Sequence, residues 1–171
     1  MDEAAWPRVG MHQGRGDCAA LLRQALMGLA PAAASAWGSV RTLWLADVDF
    51  ADWPLDEPAV HEALAAWLRQ GGRQLRMAGL HVDKVERRHP RLARWRRDWS
   101  HAISVVTPAE GDLPTEVRGL LAAPLWLHRQ EAPDLRLRCS TDARQARGVD
   151  MAIADFLQRC EPAWPATTLG L

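Results

Sequence analysis

The sequence predicts an α/β domain with a mixed, largely parallel sheet flanked by helices, and three observations carry that reading. Short apolar runs rich in β-branched and aromatic residues alternate with one-sided helical patterns. Glycine, proline and acidic residues fall at the joints between them. No repeat, low-complexity tract or linker divides the chain, and 171 residues suffice for one core. Residues 1–16 carry no period and are expected as a loose N-terminal leader, with residues 17–171 forming the single domain.

Asp17 is placed to cap a helix from Cys18 to about Leu29, whose stripe is Leu22, Leu26 and Leu29. Residues 40–48 (VRTLWLADV) read as a buried strand, followed by an acidic loop over 49–57. Pro58 suits the first turn of a helix, with Asp56 or Glu57 ahead as cap. Val60, Leu64, Trp67 and Leu68 give that helix one apolar side, and Gly71 and Gly72 stop it. Residues 74–80 (QLRMAGL) form a second strand, His89-Pro90 opens a helix with Leu92, Trp95 and Trp99 inward, and residues 101–107 (HAISVVT) form a third strand. Residues 116–127 are ambiguous, and one course they allow is a short helix to Leu121, a break at Pro124 and then a strand through Trp126. Residues 135–139 (LRLRC) alternate as a strand with one wet face. Ser140 to Asp142 supply a cap, and the last helix carries Val149, Ile153, Phe156, Leu157 and Cys160 on one face before a tail with Pro162 and Pro165.

Composition excludes several classes. Lysine plus arginine equal aspartate plus glutamate at 21 each, so no global field draws a nucleic acid or an anionic membrane, and such a partner would need a local patch. Lys84 is the only lysine, a bias of composition rather than of mechanism. The aromatic set is nine Trp, two Phe and no Tyr, and most of the indoles fall at core periodicity. Cys18, Cys139 and Cys160 are odd in number and widely spaced, which indicates buried thiols and neither a disulfide framework nor a zinc site. With no signal-peptide pattern and no apolar run of membrane-spanning length, the expected compartment is the cytoplasm.

The stretch from Ala59 to Thr107 runs through AWLRQGG at a helix end, the strand QLRMAGL, a helix opening RHPRLARW and the strand HAISVVT. With the closing FLQRCEPAWP, this resembles a phospholipase D-like half-domain of small bacterial proteins, over about two-thirds of the chain. The resemblance implies a phospholipase D-like fold and, by analogy, a homodimer. Activity in that family needs a His-x-Lys-x4-Asp motif, in which the imidazole attacks phosphorus and the lysine holds the phosphate. None of the six histidines has a lysine two residues on. His128-Arg129-Gln130 lies in the corresponding region without it, and after His89-Pro90-Arg91 position 96 is arginine rather than the required acid. The resemblance therefore implies a degenerate, non-catalytic copy.

The most charged segment runs from Lys84 to Trp99, where Lys84, Arg87, Arg88, Arg91, Arg94, Arg96 and Arg97 stand against Glu86 and Asp98. On a continuous helix Arg87, Arg91 and Arg94 would share the face opposite Leu92, Trp95 and Trp99. Arg87, Arg88, Arg91, Arg94 and Arg97 are thus the candidate polyanion-binding residues, the bland alternative being a solvated face paired with the chain's own carboxylates. Asp47, Asp49, Asp52, Asp56 and Glu57 follow the first long strand, where α/β proteins place ligands, and Asp47-x-Asp49 is a weak match to a hard-cation site. An alternative is that this loop pairs with the arginine helix, within one molecule or across a dimer.

The remaining motifs fail on spacing. His61-Glu62 and His81-x-Asp83 do not make a His-Glu-x-x-His pair, and no serine lies in Gly-x-Ser-x-Gly. Gly10-x3-Gly14-x-Gly16 lacks the preceding strand and following lysine of a P-loop. Cys139, close to a helix N-terminus, is expected as a buried strand-end thiol rather than an activated one. No cofactor, metal or catalytic residue is indicated. The expected function is a non-catalytic binding domain for a protein partner or a second copy of itself. The alternatives are a nucleic-acid or polyanion binder acting through the arginine segment, and a small hydrolase-like enzyme centred on loop 47–57.

Overall fold

A computed structural model describes residues 7–30 and 39–165. Eight strands form one sheet, in chain order β1 (Gly10–Gln13), β2 (Thr42–Asp47), β3 (Gln74–Gly79), β4 (Ile103–Pro108), β5 (Gly119–Ala122), β6 (Leu125–Arg129), β7 (Arg136–Ser140) and β8 (Cys160–Pro162). Five helices accompany them: α1 (Arg15–Met27), α2 (Pro58–Leu68), α3 (Val82–Arg88), α4 (Pro90–Asp98) and α5 (Ala143–Leu157). The sheet order is β1-β7-β6-β5-β2-β3-β4-β8.

The α/β class and the mixed sheet are as the sequence predicts, but the sheet is not largely parallel. Only β2–β3 and β3–β4 run parallel, joined by crossovers through α2 and through α3–α4. The other five ladders are antiparallel. Residues 116–127 account for much of the difference, and the edge strands β1 and β8 add the other two antiparallel ladders. The 116–127 segment forms a 3-10 turn at Thr115–Val117 and then a hairpin, β5 and β6, around a cis Ala123–Pro124 bond. All four residues of β5 (GLLA) are buried, so the run shows no alternation, and periodicity cannot separate it from a helix.

Two apolar layers clamp the sheet. Leu43, Leu45, Leu75, Met77, Leu127 and Leu137 face α1 to α4, which contribute Leu22, Leu26, Leu64, Trp67, Val85 and Leu92. The opposite face, with Trp44, Ala46, Ala78, Leu121 and Trp126, packs against Ala146, Ile153 and Phe156 of α5. β2 is buried on both faces, which is why its run is continuously apolar. Burying each large apolar side chain contributes roughly 2 kcal/mol, so these layers supply the main driving force. The indoles serve as packing with a polar handle: Trp44 donates to the Val117 carbonyl at 2.9 Å and Trp67 to that of Val40 at 3.1 Å.

Three expectations are corrected at element ends. Residues 7–16 are not a free leader, because β1 pairs with β7 and α1 begins at Arg15, with Gly14 rather than Asp17 at its cap position. β1 is an edge strand held by its backbone ladder, so its side chains (GMHQ) carry no apolar signal. Residues 1–6 of the expected leader lie outside the described residues. The last helix ends at Leu157, and Cys160 belongs instead to β8, which returns antiparallel along β4. Pro162 is tolerated there because β8 is the other sheet edge.

Gly119 is the tightest point of the sheet. It sits at φ +141°, and a Cβ there would lie 1.9 Å from the Leu127 carbonyl oxygen. Gly119→Ala is expected to destabilise the protein by about 3 kcal/mol or more, read as a lower urea midpoint at unchanged slope.

Candidate functional site

The candidate residues converge where β2 ends. Asp47, its last residue, is 1 % exposed. Its carboxylate accepts from the Val48 N–H at 2.8 Å, the Trp53 indole N–H at 2.7 Å and Arg129 Nη1 at 2.9 Å. Burial pushes the Asp47 carboxyl above its ordinary range, while Arg129 and the two N–H donors pull the other way. Arg129, on β6, was not legible as a partner because it lies 82 residues away in sequence.

Every other acidic side chain of the loop is likewise engaged. Asp49 accepts from the Ala51 N–H and pairs with Arg88 at 3.4 Å. Asp52 pairs with Arg15 at the start of α1, also at 3.4 Å. Glu57 occupies the cap position of α2, but its carboxylate is turned to Arg23 of α1 in a two-point contact at 2.6 and 2.7 Å. That contact holds the Glu57 carboxyl below its usual range. Asp56 caps α4 rather than α2, accepting from the Arg91 and Leu92 N–H groups at 2.7 and 3.0 Å. Phe50 takes the uncommon φ of 55°, and its carbonyl faces His89 Nε2 at 2.8 Å. The loop thus docks on the α3–α4 junction within one molecule, the pairing alternative drawn from the sequence. Among the described residues no cluster of three or more His, Cys, Asp or Glu could hold a metal ion.

The arginine segment is two helices, not one. The chain breaks at buried His89, whose φ of −124° and ψ of 64° are not helical, because Pro90 disfavours a helical residue before it. Arg87, Arg91 and Arg94 therefore do not form one continuous stripe. Arg87 and Arg88 lie on α3, paired with Asp83 at 3.3 Å and with Asp49. Arg91, Arg94 and Arg97 lie on α4 at three-residue steps, all exposed, and their side chains enter no ion pair among the described residues. Arg96 turns inward, its guanidinium 4.5 Å from the Trp164 ring centre. On the flank of α4, half-buried Trp95 stacks on His61 at 5.4 Å, and Trp99 lies between Trp95 and His101.

Two polar concavities flank Arg129. One of about 140 Å³ includes Thr115, Arg118 and Gln130, and one of about 400 Å³ includes Gln13, Arg15, Asp52 and Asp134. His128, at the edge of this region, has both ring nitrogens occupied. Nε2 lies 2.9 Å from the Thr115 carbonyl, and Nδ1 lies 2.9 Å from the Gln130 amide nitrogen.

No protein-family model matches this chain, and no curated protein matches its sequence. Among solved structures it is similar to TrmBL2, an archaeal chromatin protein whose structure shows a novel mode of DNA binding. The TM-score is 0.62 at 12% identity, covering 91% of this chain and 54% of that one. This chain therefore spans about half the length of that protein, and the likeness is one of fold. No helix among the described residues is long and apolar enough to cross a membrane.

Cys139 lies buried on β7, its thiol directed at the Pro7 carbonyl at 3.5 Å, and burial pushes its pKa up to about 11. Proximity to the start of α5 does not activate it. In the native protein at pH 8, alkylation of Cys139 is expected to be about a hundredfold slower than in urea, followed by mass spectrometry.

Proposed function

We propose that this chain is a non-catalytic binding domain that takes a nucleic acid on the cationic surface of α3 and α4. The observation that carries the reading is the outward face of α4, where Arg91, Arg94 and Arg97 stand exposed and unpaired among the described residues. Asp56 and the loop carboxylates hold the helices from behind, so the outward cations are left for a partner. Arg91, Arg94 and Arg97 are the first contacts, with Arg87 and Arg88 at the border because each already has a carboxylate. A polyanion gains from such a row by counterion release, one increment per phosphate neutralised. The DNA-binding chromatin protein of the same fold is compatible with this reading.

The non-catalytic part rests on engagement. Asp47, the best-placed acid, is locked by three donors, and the His128 ring is held on both nitrogens with Gln130 where a phospholipase D-like site has its lysine. A degenerate phospholipase D-like half-domain remains part of the proposal. The protein-partner reading has less support. The exposed large apolar side chains among the described residues are Val9, Met11, Met27 and Met151, and none is a tryptophan.

Fluorescence anisotropy with short single- and double-stranded DNA, titrated with salt, tests the proposal. The wild type is expected to bind at low salt, and Arg91/Arg94/Arg97→Ala to lose most of that affinity. The slope of log K against log salt is expected to fall by roughly 3 with the three contacts removed. Absence of binding at low salt, or equal binding by the variant, would overturn it.

A further inference from the structure

The face of the sheet covered by α5 holds a separate concavity of about 430 Å³. Its floor includes Trp44 and Ile153, which are 2 % and 4 % exposed, and its walls carry Arg41, Arg76 and Arg147. α5 begins at this wall and adds the positive end of its dipole. The volume falls within the range of small-molecule sites, about 300 to 1,000 Å³.

Arg76 is the informative residue. It occupies the middle of β3, in register with Trp44 on β2 and Ser104 on β4. Its neighbours Leu75 and Met77 enter the core on the other side of the sheet. A central-strand position beside an apolar layer ordinarily holds a branched aliphatic residue. Yet Arg76 is half-buried, and among the described residues its side chain has no ion pair or hydrogen bond, nor have those of Arg41 and Arg147. Asp150, three residues after Arg147, lines the same space without bridging to it. Three guanidiniums against one carboxylate leave a cationic cavity with an apolar floor.

We propose that this cavity binds an organic anion with an apolar body, its carboxylate held by Arg76 and Arg147 and its alkyl or aryl part lying over Trp44 and Ile153. Paired guanidinium donors suit a carboxylate, and an apolar body laid over the floor would strengthen that contact by displacing water. The site lies on the opposite face of the sheet from α4 and does not depend on the nucleic-acid reading.

The test uses the full chain with anilinonaphthalenesulfonate, an anionic fluorophore, displaced by decanoate, decanol or decyltrimethylammonium. Saturable one-site binding is expected, with decanoate displacing the probe about tenfold more effectively than decanol and the cation not displacing it. Arg76→Gln/Arg147→Gln is expected to weaken decanoate binding about tenfold and leave decanol unchanged, whereas Arg91/Arg94/Arg97→Ala binds as the wild type does. No saturable binding, equal displacement by decanoate and decanol, or an undiminished decanoate affinity in the Arg76/Arg147 variant overturns the proposal. The comparison among the three decyl compounds is made on the wild type, so a variant that fails to fold does not remove the test.

Discussion

A carboxylate buried at the end of a central strand must be met by donors, and Asp47 meets three of them. Its partner Arg129 comes from β6, two strands away in the sheet, so the contact ties the parallel segment β2–β4 to the antiparallel segment β5–β7. Trp53, another of the donors, ties the loop that follows to the same carboxylate. From there the loop passes Phe50 to His89, Asp49 to Arg88 and Asp56 to the start of α4. Taken singly, the exposed pairs in this set contribute little. They matter because they converge on one loop whose anchor is buried.

This arrangement accounts for a neutral protein with local cationic surfaces. The loop's carboxylates are consumed inside the fold, where they hold helices and sheet together. Arg91, Arg94 and Arg97 of α4 and the three arginines around the α5 cavity enter no ion pair among the described residues. A net charge of zero therefore says nothing about the field over either surface.

The legible parts of the fold were those with strong periodicity. β2, α2, β3, α4 and α5 appear close to their expected positions because each has a long apolar run or stripe, and Pro58, Pro90 and Asp142 mark helix starts. What escaped were elements held by backbone pairing or by one apolar residue, β1, β8, and α3 with its single buried Val85, together with β5, whose fully buried run also fits a short helix. The acidic loop and the arginine segment were visible as charge. Their pairing was half visible, since the alternative of loop against helix was open, but Arg129 and the cap from Asp56 to α4 join residues far apart in sequence. Arg76 left the one usable trace of the cavity, a cation between the buried apolar residues Leu75 and Met77.

A double-mutant cycle on Asp47 and Arg129, followed by urea unfolding, tests most directly whether this buried contact organises the structure. Asp47→Ala alone is expected to cost about 3 kcal/mol, because it leaves Arg129 and the Trp53 N–H without their acceptor. Arg129→Ala is expected to cost less, and the double variant to fall short of the sum by about 1 kcal/mol or more. Additivity within about 0.5 kcal/mol would contradict the account, since it would mean that Asp47 and Arg129 stabilise the fold independently.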